Sequence, residues 1–214
     1  MGNKKFPTLL FMNILGVDLS TKKTGWAFFK DNSLKDYGVI SCNHKDSRAR
    51  SIVMQDELRE VASKRDINRI VVEDLAVYTN FKTIVALGVV HGCLLSLCNE
   101  LGIELIAYDP SEWRSLTGVN RKVVTCKTCG WSEEIIDKTF VKVCPKCGED
   151  RKSYLSSKDL KNRLDLKEIA VKVANKKYGL KLQFYQRDTK ENKSDDDIAE
   201  AILIAQAHIN ELSL

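Results

Sequence analysis

The sequence predicts an α/β fold, and three observations on its apolar segments lead to that prediction. Residues 14–17 form an apolar run of strand length, and a second run at 25–29 follows a polar turn, which is the pattern of a β-hairpin. A third strand at 37–40 extends this meander. The segment 47–64 then has apolar residues at roughly helical spacing, and a β-branched run at 69–72 follows it. A strand, helix, strand order favours parallel pairing of this strand with an earlier one.

The second half of the chain continues the alternation of helices and strands. The segment 79–100 is the most apolar helix candidate, and its apolar residues cover more than one helix face. One face is expected to cover the sheet, and the excess favours a second subunit over packing within the monomer. A short strand is predicted at 103–108 and a long helix at 157–178. The last helix begins near three consecutive acids at 195–197.

Composition limits the class of protein. The chain has 214 residues, which suits one domain with an insert or two small domains. Its formal net charge of +5 permits a polyanionic partner without requiring one. We expect no membrane-spanning segment, because no stretch is predicted to be long and apolar enough for a bilayer. We also expect no signal peptide, since the apolar residues 6–17 merge with the first strand.

Four of the seven cysteines form two Cys-x-x-Cys pairs, each followed by glycine. Such turns present thiolates in the tetrahedral arrangement that structural zinc prefers, and two redox dithiols are the weaker alternative. A zinc site with four protein ligands has no open position, so we expect no catalysis there. The remaining cysteines are scattered, which favours a reducing compartment. The predicted zinc ribbon spans residues 121–152, and its ligands are Cys126, Cys129, Cys144 and Cys147.

Acidic residues occur where two predicted strands end and where the last helix begins. Asp18 ends the first strand and Glu73 ends the fourth, so parallel neighbouring strands would place them side by side. Asp197 and Glu200 are three residues apart and share one helix face. For a lone buried Asp, an arginine or a hydrogen-bond network is an alternative partner to a metal.

Four converging carboxylates favour divalent cations as the compensating charge. An all-oxygen ligand set suits Mg²⁺ or Mn²⁺. Two such ions about 3.5–4 Å apart support phosphodiester hydrolysis. The sequence does not decide which of Asp195, Asp196 and Asp197 supplies the first helix ligand.

The order and spacing of these motifs resemble those of the RuvC-type Holliday junction resolvases, which belong to the ribonuclease H-like superfamily. The motifs are Val17-Asp18 in the first hairpin, Val71-Val72-Glu73-Asp74 after a helix, and Asp196-Asp197-Ile198-Ala199-Glu200-Ala201 at the last helix. The resemblance implies a five-stranded mixed sheet whose first three strands are antiparallel. It also implies a homodimer that nicks opposing strands of a four-way DNA junction symmetrically, with the helix at 79–100 as the dimer interface.

The resemblance also implies roles for the four acids. Asp18 would bridge two metal ions, and Glu73 would bind one of them. Asp197 and Glu200 would fill the last positions and help to orient the attacking water. Glu200 stands where the family more often has Asp, and the zinc ribbon is absent from the bacterial enzymes, so the chain looks like a bacteriophage-type or other divergent member.

Further residues are expected to contact DNA. The family places an aromatic in the loop after the second acidic motif, and Tyr78 and Phe81 are the candidates here, with core packing as the alternative. The helix at 157–178 carries a basic face that includes Lys158 and Lys161. That face is either solvated or in contact with phosphates.

The resulting prediction is a ribonuclease H-like nuclease domain over 1–120 and 153–214 that carries the zinc ribbon as an insert. The expected location is the cytoplasm of a bacterial or phage-infected cell. A broader nuclease that cuts forks and flaps remains open, as does a non-catalytic nucleic-acid-binding module. RNA-guided RuvC nucleases with a similar zinc element are much longer, and actin-like ATP-handling proteins need a second glycine-rich loop that the sequence lacks.

Overall fold

The structure is a computed structural model. It describes residues 12–75, 80–119, 122–126, 128–135, 143–150, 154–155, 166–189 and 193–213. The predictions for Tyr78, Lys158 and Lys161 lie outside these described residues.

The main sheet has five strands in the order β3-β2-β1-β4-β5. The first three are antiparallel neighbours, whereas β4 pairs in parallel with both β1 and β5. This is the mixed sheet that the sequence and the resemblance predict. The strand bounds are β1 Asn13–Asp18, β2 Lys23–Lys30, β3 Ser33–Ser41, β4 Arg69–Glu73 and β5 Glu104–Tyr108.

Five helices accompany this sheet in the described residues. The helix predicted at 157–178 begins at Leu166 in the described part, because residues 156–165 lie outside it. The bounds are α1 Ser47–Ser63, α2 Phe81–Leu101, α3 Pro110–Thr117, α4 Leu166–Tyr178 and α5 Asp196–Leu212.

Alternation along the strands divides the core between the two faces of the sheet. On β1, Leu15 and Val17 belong to the apolar cluster that includes α1 and α2 residues, whereas Ile14 belongs to the cluster formed with α4 and α5. Because side chains alternate across a strand, Asp18 shares the face of Ile14. By the same rule Glu73 shares the face of Val71, which packs in the α5 cluster. Both acids therefore lie on the α5 side.

Two glycines let α5 lie directly on the sheet. A Cβ added at Gly16 would be 2.2 Å from the Ala201 carbonyl oxygen, and one added at Gly25 would be 2.0 Å from the Asp197 carbonyl oxygen. Both distances are far below contact, so neither position accepts a larger residue without displacement of the helix. Gly25 pairs with Asp18 across the hairpin. This close approach fixes the first turn of α5 beside the end of β1.

Helix α2 corrects one prediction. It is long and apolar enough, by length and composition, to cross a membrane, so the expectation that no segment reaches that length is wrong. Only 22 % of its most apolar window is buried. Its buried residues Val90, Leu94 and Leu97 pack against the sheet and α1. The remaining apolar face has no partner among the described residues.

The cysteine-rich segment forms a separate three-stranded sheet in the order β7-β6-β8. All of its pairings are antiparallel. The strands are β6 Lys122–Cys126, β7 Ser132–Ile135 and β8 Tyr154–Leu155.

Candidate active site

The two strand-end acids lie side by side at one edge of the sheet. The parallel register of β1 and β4 pairs Val17 with Val72, and Asp18 and Glu73 are the next residues on their strands. Both point to the α5 face, as the alternation of side chains requires.

Helix α5 brings the other two predicted acids to the same place. Asp18, Glu73, Asp197 and Glu200 all line one cleft of about 820 Å³. Asp196 does not line it, and the Asp195 carboxylate instead accepts a hydrogen bond from the Gln183 backbone N–H at 2.9 Å. Of the three consecutive acids at the helix start, Asp197 is therefore the one that lines this cleft.

Basic side chains from distant segments lie among these acids, which the sequence reasoning missed. The Lys167 amine pairs with Asp196 and lies 3.8 Å from a Glu200 carboxylate oxygen. The Lys23 amine lies 2.7 Å from Asp197 Oδ2. Lys167 lies on the helix predicted at 157–178, and in the structure its half-exposed amine is directed to these acids. Its position compensates the acids, so divalent cations are not the only positive charge available to them.

A third cation, Arg114 on α3, also contacts the acids. Its guanidinium lies 3.2 Å from Glu73 Oε2 and 3.6 Å from Glu200 Oε1. The same group stacks over the Trp113 ring at 4.7 Å. The fully buried Trp113 donates its indole N–H to Glu73. Two adjacent residues of α3 thus hold one carboxylate from the sheet.

Asp18 differs from the other acids because its carboxylate has neither a hydrogen bond nor an ion pair within the described residues. Burial raises its pKa well above the usual value, and the negative charges of Glu200 and Asp197 raise it further. Burial also raises the pKa of Glu200 to about 7, against the opposing charge of Lys167. The pKa of Asp197 is raised by burial as well, although its hydrogen bond with Lys23 acts in the opposite direction.

These properties fit a divalent cation at Asp18. An unpaired, half-buried carboxylate among other acids is stabilised by a positive ion, and oxygen donors suit Mg²⁺ or Mn²⁺. A bound ion would compete with Lys167 for Glu200, while Trp113 and Arg114 continue to hold Glu73. Protons would compete with the ion as the pH falls through the raised pKa values.

The contact between Trp113 and Glu73 gives a testable prediction. Trp113→Phe keeps an aromatic ring in the core and removes the indole N–H. We expect cleavage activity, measured against Mg²⁺ concentration, to fall by about 10- to 100-fold, the usual effect of removing a hydrogen bond that orients a metal ligand. Trp26→Phe is the matched control, because Trp26 lies on β2 outside the cleft and stacks with Arg65. Equal activity of the two variants would contradict a role for Trp113.

The predicted DNA-contacting residues have different positions. Phe81 is 76 % exposed at the start of α2 and does not pack as a core residue. Its neighbours Lys82 and Thr83 line the cleft, although neither was singled out from the sequence. The exposed ring of Phe81 therefore stands beside the entrance to the acidic site.

The four predicted zinc ligands converge as expected. Their sulfur atoms all lie within 4.8 Å of one another. Cys126 and Cys147 are 3.6 Å apart, and Cys129 and Cys144 are 3.7 Å apart. A tetrahedral zinc site with Zn–S bonds of about 2.3 Å needs sulfurs about 3.8 Å apart. The cluster is therefore compatible with zinc.

The two halves of this cluster are built alike. Gly130 donates its N–H to the Cys126 carbonyl at 2.9 Å, and Gly148 donates to Cys144 at 2.8 Å. Both glycines have positive φ, at 71° and 75°. These φ values favour glycine, which explains why glycine follows each pair.

This chain has the ribonuclease H-like fold, with the strand order β3-β2-β1-β4-β5 and helix α5, which carries Asp197 and Glu200, packed on the sheet. Similar solved structures include RuvC of Thermus thermophilus in complex with a Holliday junction substrate, with a TM-score of 0.59, 14 % identity and coverage of 94 % of this chain and 96 % of that one. The yeast mitochondrial Holliday junction resolvase matches with a TM-score of 0.52, 15 % identity and coverage of 99 % and 82 %. At such identities these likenesses establish the fold.

The sequence comparison establishes the family. The sequence model of the protein family described as crossover junction endodeoxyribonuclease RuvC matches residues 14–123, just over half of the chain. The enzyme of that name from Ehrlichia canis is 28 % identical over 112 residues, which are 50 % of this chain and 72 % of the relative. The Rickettsia africae enzyme is 30 % identical over 105 residues, 47 % of this chain and 67 % of the relative. The chain belongs to the RuvC family. The matched segment contains Asp18 and Glu73 but ends before α5.

Proposed function

We propose that the protein is a divalent-metal-dependent endonuclease that resolves four-way DNA junctions by paired symmetric nicks. The observation that carries this proposal is the unpaired, half-buried carboxylate of Asp18 in a cleft that Glu73, Asp197 and Glu200 also line. Membership of the RuvC family and the likeness to RuvC bound to a Holliday junction support the choice of substrate.

In this proposal Asp18, Glu73, Asp197 and Glu200 hold two Mg²⁺ or Mn²⁺ ions. When bound, such a pair activates a water and stabilises the leaving oxygen of a phosphodiester. Trp113 and Arg114 hold the Glu73 carboxylate in position. Once the carboxylates turn to the ions, the amine of Lys167 is placed to contact a DNA phosphate at the cleft, in accordance with the preference of ammonium groups for phosphates.

We further propose that α2 is the interface of a homodimer. Its exposed or half-buried residues Val85, Gly88, Gly92 and Leu95 are spaced by three, four and three positions, which is the repeat of a helix–helix seam. A Cβ added at Gly88 or Gly92 would meet no atom within 4 Å, so the surface there is open to a second helix. A dimer of this kind would carry two active sites, one for each of two opposing strands.

Leu95→Glu tests the dimer. Leu95 is 59 % exposed, so the change leaves the core of the monomer intact. A charge on the seam is expected to convert the protein from dimer to monomer in light scattering coupled to size-exclusion chromatography, and to replace paired nicks by single ones. Leu212→Glu, at the end of α5 away from the seam, should stay dimeric. A wild-type monomer, or one that binds lipid vesicles through α2, would contradict the proposed interface.

The cysteine cluster is proposed to hold one structural Zn²⁺, with the ribbon at 121–152 inserted into a nuclease domain formed by 1–120 and 153–214. The location proposed for such an enzyme is the cytoplasm of a bacterial or phage-infected cell.

The proposed substrate is tested with a labelled immobile four-way junction beside linear duplex, fork and flap DNA, each with Mg²⁺ and with chelator. Paired nicks at symmetric positions on the junction alone are the expected result. Equal cutting of forks and flaps would favour a broader branched-DNA nuclease. Binding without cleavage in both Mg²⁺ and Mn²⁺ would support the non-catalytic module and contradict the enzyme.

A further inference from the structure

A second cleft of about 320 Å³, here called the side cleft, adjoins the main cleft that the four acids line. It shares Ser20, Lys167 and Asp197 with the main cleft, so the two form one continuous groove. Its volume is at the lower end of the range for small-ligand pockets. Its other lining residues come from β2, from the start of α5 and from the loop before α5, namely Lys23, Phe184, Tyr185, Gln186, Asp188, Ser194 and Asp196.

The loop that forms the far wall of this side cleft is held in place by Ser194. The Ser194 hydroxyl accepts a hydrogen bond from the Tyr185 N–H at 2.9 Å and donates one to the Tyr185 carbonyl at 3.0 Å. The Ser194 N–H donates to Asp188 Oδ1 at 2.9 Å, and the Lys23 amine donates to the Ser194 carbonyl at 2.7 Å. Ser194 is only 5 % exposed. The backbone of Tyr185 is therefore fixed relative to β2.

Two side chains on this loop remain available to a ligand. Tyr185 is half-buried, and its hydroxyl makes no hydrogen bond within the described part of the chain. Gln186 is exposed and presents an amide with both donors and acceptors. The neighbouring Phe184 instead packs against the core and supports the wall.

The charged side chains around the side cleft already have partners. Asp196 pairs with Lys167, and Asp197 pairs with Lys23. Asp188 accepts its hydrogen bond from the loop backbone. A DNA strand that crosses from the main cleft would therefore enter a cleft lined by two amines and an aromatic ring.

We propose that the side cleft binds the base of a nucleotide next to the phosphate that is cleaved. The ring of Tyr185 stacks on this base, since aromatic rings accept any base, and the amide of Gln186 contacts its edge and confers a sequence preference at the cut. This inference rests on the proposed function for its position relative to the cut. The stacking itself requires only that DNA binds.

The stacking is tested by binding, without cleavage. Junctions with 2-aminopurine at single positions around the crossover are mixed with the protein in chelator, and the fluorescence is measured. The 2-aminopurine fluorescence at one position is expected to be quenched by the wild type and by Tyr185→Phe, which keeps the ring. Tyr185→Ala should not quench it. We expect Tyr185→Ala to bind the junction about 5-fold or more weakly, the lower limit for loss of one base–aromatic stack. Tyr37→Ala is the control, because Tyr37 is a half-exposed tyrosine on β3 that lines neither cleft.

The sequence preference is tested by cleavage of junctions with randomised bases at the crossover. Gln186→Ala should flatten the distribution of cut sites, since a contact to a base edge accounts for discrimination of about 5-fold or more between bases. Identical quenching by wild type and Tyr185→Ala would overturn the subsite, as would quenching at no position. If the wild type quenches the fluorescence at one position but cleaves no junction, the base-binding subsite is supported and the proposed function is contradicted.

Discussion

Asp18→Asn is expected to reduce junction cleavage by more than about 100-fold. Loss of a residue that only orients a metal ligand costs up to about 100-fold, and loss of the ligand itself should cost more. Junction binding should stay equal or become tighter, because the amide keeps the shape of the side chain and removes a negative charge near DNA. Cleavage is measured on a labelled junction with Mg²⁺, and binding is measured in chelator. Asp56→Asn is the control, since Asp56 is an exposed acid on α1 and its replacement makes the same charge change.

The same variant has a predicted effect on stability. The folded-state pKa of Asp18 is raised, so between the usual pKa and the raised one the metal-free folded protein keeps a proton that the unfolded chain has lost. Stability from this group is therefore lost as the pH rises from the usual pKa through the raised one. The neutral amide removes that loss, and the melting temperature of metal-free Asp18→Asn should equal or exceed that of the wild type at pH 7.5. Lower stability together with lost cleavage would indicate a folding defect and contradict the assignment.

The second large effect is expected at the cysteine cluster. The double variant Cys126→Ser, Cys144→Ser removes one thiolate from each pair and should lower zinc from about one per chain to none, because structural zinc sites use four protein ligands and only two would remain. Zinc is measured by atomic absorption after dialysis. Since zinc binding and folding of small metal sites are coupled, trypsin should then cut within residues 121–152.

Cys42→Ser is the control for the zinc measurement, because Cys42 lies outside the cluster. Retention of zinc by the double variant would refute the ribbon. If the ribbon is an insert, the nuclease domain should keep its main unfolding transition in the double variant. A loss of that transition would contradict the proposed domain limits.

The sequence predicted the sheet and the positions of its acids because both depend on local patterns. Apolar runs and their alternation located all five strands of the main sheet, and the acids at the ends of β1 and β4 followed from strand order. The cysteine cluster was predicted because its spacing is local too. The glycines at 16 and 25 were visible but not interpreted, since their importance depends on how closely α5 approaches the sheet.

The partners of the acids could not be predicted, because they come from segments far apart in the sequence. Lys167, Lys23 and Arg114 lie on α4, β2 and α3, and nothing local marks them as neighbours of one cleft. The indole contact of Trp113 is equally non-local. The choice of Asp197 among three consecutive acids needed the orientation of the first turn of α5, which only the packed structure supplies.

The most direct test of the central claim is the binding of Mn²⁺ to the protein, followed by electron paramagnetic resonance at pH 7.5. The account predicts saturable binding by the wild type that Asp18→Asn weakens by at least about 10-fold, since a lost ligand costs no less than a lost orienting group. Asp56→Asn should bind as the wild type does. Equal Mn²⁺ affinity of the wild type and Asp18→Asn would contradict the claim that the carboxylates at the end of β1 and on α5 form a metal site.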